Sequence, residues 1–67
     1  MSVARVSEIS ATSSQSFEDA IRQGLERATR TLRGVTAAWV KEHRVALRDG
    51  KIQHYQVNMQ VTFVLED

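Results

Sequence analysis

Apolar and polar positions divide the chain into four segments with different periods. Residues 3–10 (VARVSEIS) carry Val3, Val6 and Ile9 in a loosely spaced run that predicts a short strand. Residues 11–15, Ala11-Thr12-Ser13-Ser14-Gln15, favour neither regular structure and read as a polar connection. From Phe17 the apolar residues fall at Phe17, Ala20, Ile21, Leu25, Ala28 and Leu32, a single stripe at helical spacing. Ser16 stands at the N-cap, where its hydroxyl accepts from a first-turn N–H, and Asp19 sets a carboxylate at the positive end of the helix. The opposite face carries Glu18, Arg22, Glu26 and Arg30, alternating in sign at a spacing that keeps it in water. Gly34, after Arg33, predicts the helix stop, since glycine enters the left-handed conformation without steric cost.

Residues 37–47 (AAWVKEHRVAL) and 52–65 (IQHYQVNMQVTFVL) predict two strands joined through Arg48-Asp49-Gly50-Lys51. Asp-Gly marks a tight hairpin, because both central residues of such a turn need positive φ. In the last strand Tyr55, Val57, Met59, Val61, Phe63 and Leu65 alternate with Gln56, Asn58, Gln60, Thr62 and Val64. One face therefore meets a core and the other is largely polar. The pattern predicts an α+β domain of β-α-β-β order over 1–67, a three-stranded antiparallel sheet wrapped on one helix. With regular pairing from the turn, Gln56 faces His43, Gln60 faces Trp39 and Thr62 faces Ala37, all on the side away from the helix. The same register turns Glu42 and Arg44 toward the helix side, unless a bulge intervenes.

Element lengths and composition together predict an assembly. A last strand of ~45 Å, at about 3.3 Å per residue, outruns a helix lid of ~25 Å at 1.5 Å per residue. Its uncovered part and the free edges must meet other subunits or curl around the helix. A chain of 67 residues without Cys has no disulfides and no thiolate metal site. His43 and His54 alone cannot close a structural zinc site, so oligomerisation is the remaining source of stability.

Net charge is +1 with no basic run, which excludes the footprint of a nucleic-acid binder. No apolar stretch reaches the ~18 residues of a membrane span, and the first residues lack the apolar core of a signal peptide, so a cytoplasmic protein is expected.

The candidate chemistry lies on the polar sheet face. Trp39 beside a row of amides suits a planar heterocycle, with stacking for affinity and amides for orientation. Trp39 as a subunit-interface anchor is the commoner role of such a residue. Ser13, Ser14 and Ser16 cluster at a helix start, where capping accounts for them. No carboxylate is placed to orient either His, and the scattered acids match no metal loop, so no enzyme is expected.

Almost the whole chain resembles the dodecins. The resemblance rests on Ala11-Thr12-Ser13 before the helix, on Leu25-Glu26-Arg27-Ala28 and Thr31-Leu32-Arg33, on His54-Tyr55-Gln56-Val57, and on Gln60 to Asp67 (QVTFVLED) at the end. It implies a hollow homododecamer that binds flavins, riboflavin or FMN, for storage and sequestration rather than turnover. In flavin-binding members a Trp at the start of the second strand stacks on the isoalloxazine, pairs of flavins lie between symmetry-related Trps, and a Gln of the last strand bonds the ring. Matched without gaps from the C-terminus, that Gln is Gln56 and the Trp position is Ala37. Trp39 lies two residues on, on the same face of a regular strand and ~6.6 Å along it, where it could stack in a shifted pocket. Glu42 occupies the acidic position that contacts the ligand in some members. Of the basic positions near a flavin phosphate, Arg44 is kept, whereas Ala46 and Val64 are not, which weakens an FMN phosphate site. The alternative is a Trp-less homologue that binds no flavin and instead holds a divalent ion such as calcium, or another small ligand.

Overall fold

The computed structural model describes residues 3–65. Its elements are β1 (Val3–Ser13), α1 (Phe17–Thr31), β2 (Val35–Arg48) and β3 (Lys51–Leu65). They form one three-stranded antiparallel sheet in the order β1-β3-β2, with α1 packed on one face. The β-α-β-β order and the antiparallel sheet are those the sequence predicts.

Several boundaries differ, those of β2 and the start of β3 by one or two residues. β1 does not end at residue 10: Ala11, Thr12 and Ser13 pair with Val57, Gln56 and Tyr55. Their backbone groups find partners because β3 is central and long, and this tertiary pairing overrides weak local preference. α1 ends at Thr31, and Leu32 is already extended (φ −114°, ψ 136°) with its N–H bonded to the Ala28 carbonyl at 2.8 Å. Gly34 is left-handed (φ 74°), but it serves the entry into β2, where its carbonyl accepts the Val64 N–H at 3.0 Å. A Cβ there would lie 2.9 Å from the Val64 carbonyl oxygen, so both torsion and space require glycine.

The predicted N-cap is present: the Ser16 hydroxyl accepts the Asp19 N–H at 2.9 Å. The helix buries Ala20, Gly24 and Ala28 against Val57, Met59 and Val61 of β3, while Ile21 and Leu25 are half-buried beside them. Complete burial of each of those three β3 side chains contributes about 1.5–3 kcal/mol. Gly24 brings helix and sheet close together, since a Cβ on it would stand 2.8 Å from Met59 Cε and 3.0 Å from Ala11 Cβ.

The molecule measures 51 × 19 × 13 Å. A helix of 15 residues covers only ~22 Å of that length. The sheet therefore outruns its lid at both ends. Val45, Leu47 and Ile52 are exposed toward the hairpin tip, and Val3, Val6 and Leu65 at the other end.

The hairpin is tight, with Asp49 and Gly50 both left-handed (φ 53° and 76°). Its pairing is not regular throughout. From Arg48↔Lys51 and Leu47↔Ile52 the register slips by one residue at Ala46↔His54, where Gln53 is supernumerary. It slips back between Glu42↔Asn58 and Val40↔Met59, where Lys41 is the extra residue. A further irregularity between Val35 and Ala37 leaves Thr36 over. Between the first two bulges the facing of β2 is the reverse of that expected from regular pairing. Gln56 opposes Arg44 rather than His43, and Glu42 and Arg44 lie on the outer face rather than the helix side. His43, expected outside, opposes Val57 and stacks on Phe17 of α1 with ring centroids 4.5 Å apart. The expected pairs Trp39↔Gln60 and Ala37↔Thr62 are present beyond the second bulge.

Candidate functional site

The outer face of the sheet takes alternate residues from all three strands. β3 supplies Gln56, Asn58, Gln60 and Thr62; β1 sets Thr12, Ser10, Glu8 and Val6 opposite them; β2 adds Arg44, Glu42, Trp39 and Ala37 on the other side. All four residues singled out in the sequence, Ala37, Trp39, Glu42 and Gln56, therefore share one face.

Polar side chains tie this face together across the strands. The Gln56 amide nitrogen donates to Ser10 Oγ at 2.8 Å and to Asn58 Oδ1 at 3.3 Å. The Asn58 amide nitrogen donates to Glu42 Oε1 at 2.9 Å. Lys41, the bulge residue, reaches across β3 to Glu8 with Nζ 3.0 Å from Oε1. Half exposed as it is, that ion pair contributes less than about 1 kcal/mol, and its effect is to hold the bulged segment over the sheet.

The structure joins Glu42 to Gln56 through Asn58, but it does not bring Trp39 onto them. Trp39 stands on the Gln60 rung, four residues along β3 from Gln56, or ~13 Å at the rise of a strand. Ala37 is one rung pair further, opposite Thr62. Trp39 is 66% exposed, a largely solvent-facing indole. One chain thus carries an exposed aromatic side chain and an amide row at separate places on the same face.

Ser10 and Asn58 were not among the candidates the sequence picked out. The signal for Asn58 is its place in the polar alternation of β3. Ser10 becomes visible only when β1 is continued to Ser13, because its antiparallel partner is then Asn58 and its hydroxyl comes within reach of Gln56. His43 moves off this face, and Phe17, His43 and Tyr55 form a small aromatic group at the start of α1, with Phe17 and Tyr55 edge to face at 5.1 Å. Among the described residues no group of three or more His, Cys, Asp or Glu side chains could hold a metal ion. No described helix is long and apolar enough to cross a membrane.

A short helix laid on a long, bulged antiparallel sheet, with a polar outer face bearing an exposed indole, defines a small α+β protein of β-α-β-β order. The family model described as Dodecin matches residues 3–66, and the chain belongs to the dodecin family. It is similar to the dodecin of Thermus thermophilus, at 38% identity over 60 residues, covering 90% of this chain and 87% of that one. The solved dodecin from Streptomyces davaonensis superposes with a TM-score of 0.92 at 41% identity, covering 98% of this chain and 97% of that one. The calcium dodecin of Mycobacterium tuberculosis, described as a calcium-chelating antigen with a novel calcium-binding site, superposes with a TM-score of 0.83 at 31% identity, covering 96% of this chain and 91% of that one. The dodecin family is not a family of catalytic enzymes.

Proposed function

We propose that this chain is a non-catalytic flavin-binding protein that stores or sequesters riboflavin or FMN in the cytoplasm as a hollow homododecamer. The observation that carries the reading is the outer sheet face, where Gln56 and Glu42 are linked in one polar row and Trp39 exposes its indole on the same face. An isoalloxazine needs both features: a flat apolar surface to stack on, and fixed polar groups for its pyrimidine edge. The ~13 Å between the Trp39 and Gln56 rungs calls for two chains per site, with Trp39 of one subunit facing the amide row of another. Ala37, small and on the same face, leaves open the space that a larger side chain would fill.

The family contains a member described as binding calcium, which supports a second reading in which this chain takes a divalent ion rather than a flavin. Titration of riboflavin into the purified protein separates the two. Quenching of flavin fluorescence at micromolar protein is expected. No quenching, together with a calcium-dependent rise in melting temperature, would transfer the function to the second reading.

A further inference from the structure

The geometry points to Glu42, Asn58 and Ser10 as positioning residues that lock the Gln56 carboxamide with its nitrogen turned into the sheet face and its oxygen left for a ligand N–H. This rests on the flavin reading only for the choice of ligand. The orientation itself follows from hydrogen-bond polarity. A carboxylate accepts and does not donate. Asn58, whose amide meets Glu42 Oε1 at 2.9 Å, must therefore present its nitrogen there. Its carbonyl then faces the other way, toward Gln56. Only the nitrogen of Gln56 can satisfy that carbonyl, and the same nitrogen is 2.8 Å from Ser10 Oγ. A carboxamide nitrogen has two hydrogens, and these two contacts engage both.

Consequently Gln56 Oε1 takes no hydrogen bond from any described residue, and the second Glu42 oxygen is likewise unengaged. At Gln56 the row therefore presents an acceptor, both hydrogens of its amide nitrogen being engaged within the sheet face. A cyclic imide, with its N–H between two carbonyls, offers the hydrogen that Gln56 Oε1 lacks. The charge at one end of the row thereby sets which ligand edge is read two side chains away. A carboxamide at position 42 would remove that control, since two facing amides can pair in either sense.

The test compares lumiflavin with N3-methyllumiflavin, which lacks the imide hydrogen, on the native protein and on Glu42→Gln. The native protein is expected to bind the methylated ligand at least tenfold more weakly, and Glu42→Gln to reduce that discrimination to within twofold. Equal binding of both ligands by the native protein overturns the inference while leaving flavin binding intact. Should neither ligand bind, the flavin reading fails separately, and the side-chain amide resonances decide this point. In 15N spectra the Gln56 amide protons are expected to exchange with water at least fivefold faster in both Ser10→Ala and Glu42→Gln than in the native protein. Unchanged exchange in both variants overturns the inference.

Discussion

The hydroxyl of Ser13, at the end of β1, donates to the Asp19 carboxylate in the first turn of α1 across 2.6 Å. The same oxygen accepts the Gln15 N–H at 2.9 Å. At 6% exposure Ser13 is the one buried polar side chain among the described residues, and it fastens the corner where strand becomes helix. Ser13→Ala is expected to cost about 2 kcal/mol, because it removes a charge-assisted bond to Asp19 and the acceptor of the Gln15 N–H. Ser16→Ala, which removes only the N-cap, is expected to cost about 1 kcal/mol. Urea unfolding at a fixed protein concentration measures both; the fixed concentration matters if subunits dissociate on unfolding.

Gly34→Ala is expected to destabilise by about 2 kcal/mol from the left-handed torsion alone, with an added loss from the approach to the Val64 carbonyl. Gly50→Ala meets nothing within 4 Å and carries the torsional cost only, so it should be the milder change. Melting temperatures of the two variants check the order.

Trp39→Ala is expected to weaken riboflavin binding by about tenfold, the scale of one aromatic stacking contact. His43→Ala should leave binding unchanged, since the imidazole lies against Phe17 on the helix side. It should instead cost about 1 kcal/mol of stability. Negligible effects of both on flavin quenching would make Trp39 an interface residue.

The exposed apolar groups at both ends of the sheet, with the exposed Trp39, set an expectation for solution size. Twelve chains of 7.6 kDa should scatter light as a particle of roughly 91 kDa with a closed point group. A monomer or dimer in native buffer would remove the dodecamer from the proposal.

Much of this architecture is legible in the sequence because it is written in periodicity. The 3.6-residue stripe from Phe17, the strict alternation from Tyr55 to Leu65 and the Asp49-Gly50 turn are local signals, and each has its expected structure. Gly24 is different: it carries no hydrophobic side chain, yet it is buried where helix and sheet come closest, a role visible only once Met59 and Ala11 stand opposite. Likewise nothing local in Ala11-Thr12-Ser13 announces a strand; the partner strand makes it one. Of the candidate site, the face of Trp39 and Ala37 is readable by counting from the turn, whereas that of Glu42 and His43 is not. Counting fails there because one residue in β2 and one in β3 pair with nothing, and neither Lys41 nor Gln53 has a side chain that advertises it.

Those two supernumerary residues have opposite effects, one on each strand, so they cancel. The pairing of Val40 with Met59 and of Leu47 with Ile52 obeys the same arithmetic, while the stretch between them runs in the other parity. The middle of the hairpin is thus insulated from its ends. Deleting Lys41 and Gln53 together would yield a ladder unbroken from Ala37 to Arg48, in which every remaining residue keeps its partner. Deleting either alone should also spare the neighbours. An indel at any other position in that stretch would exchange the outer-face set for the core-facing one. Between Ala37 and Arg48, length variation is therefore tolerable at Lys41 and at Gln53 of β3, and at both it would leave the Glu42–Asn58–Gln56 row undisturbed.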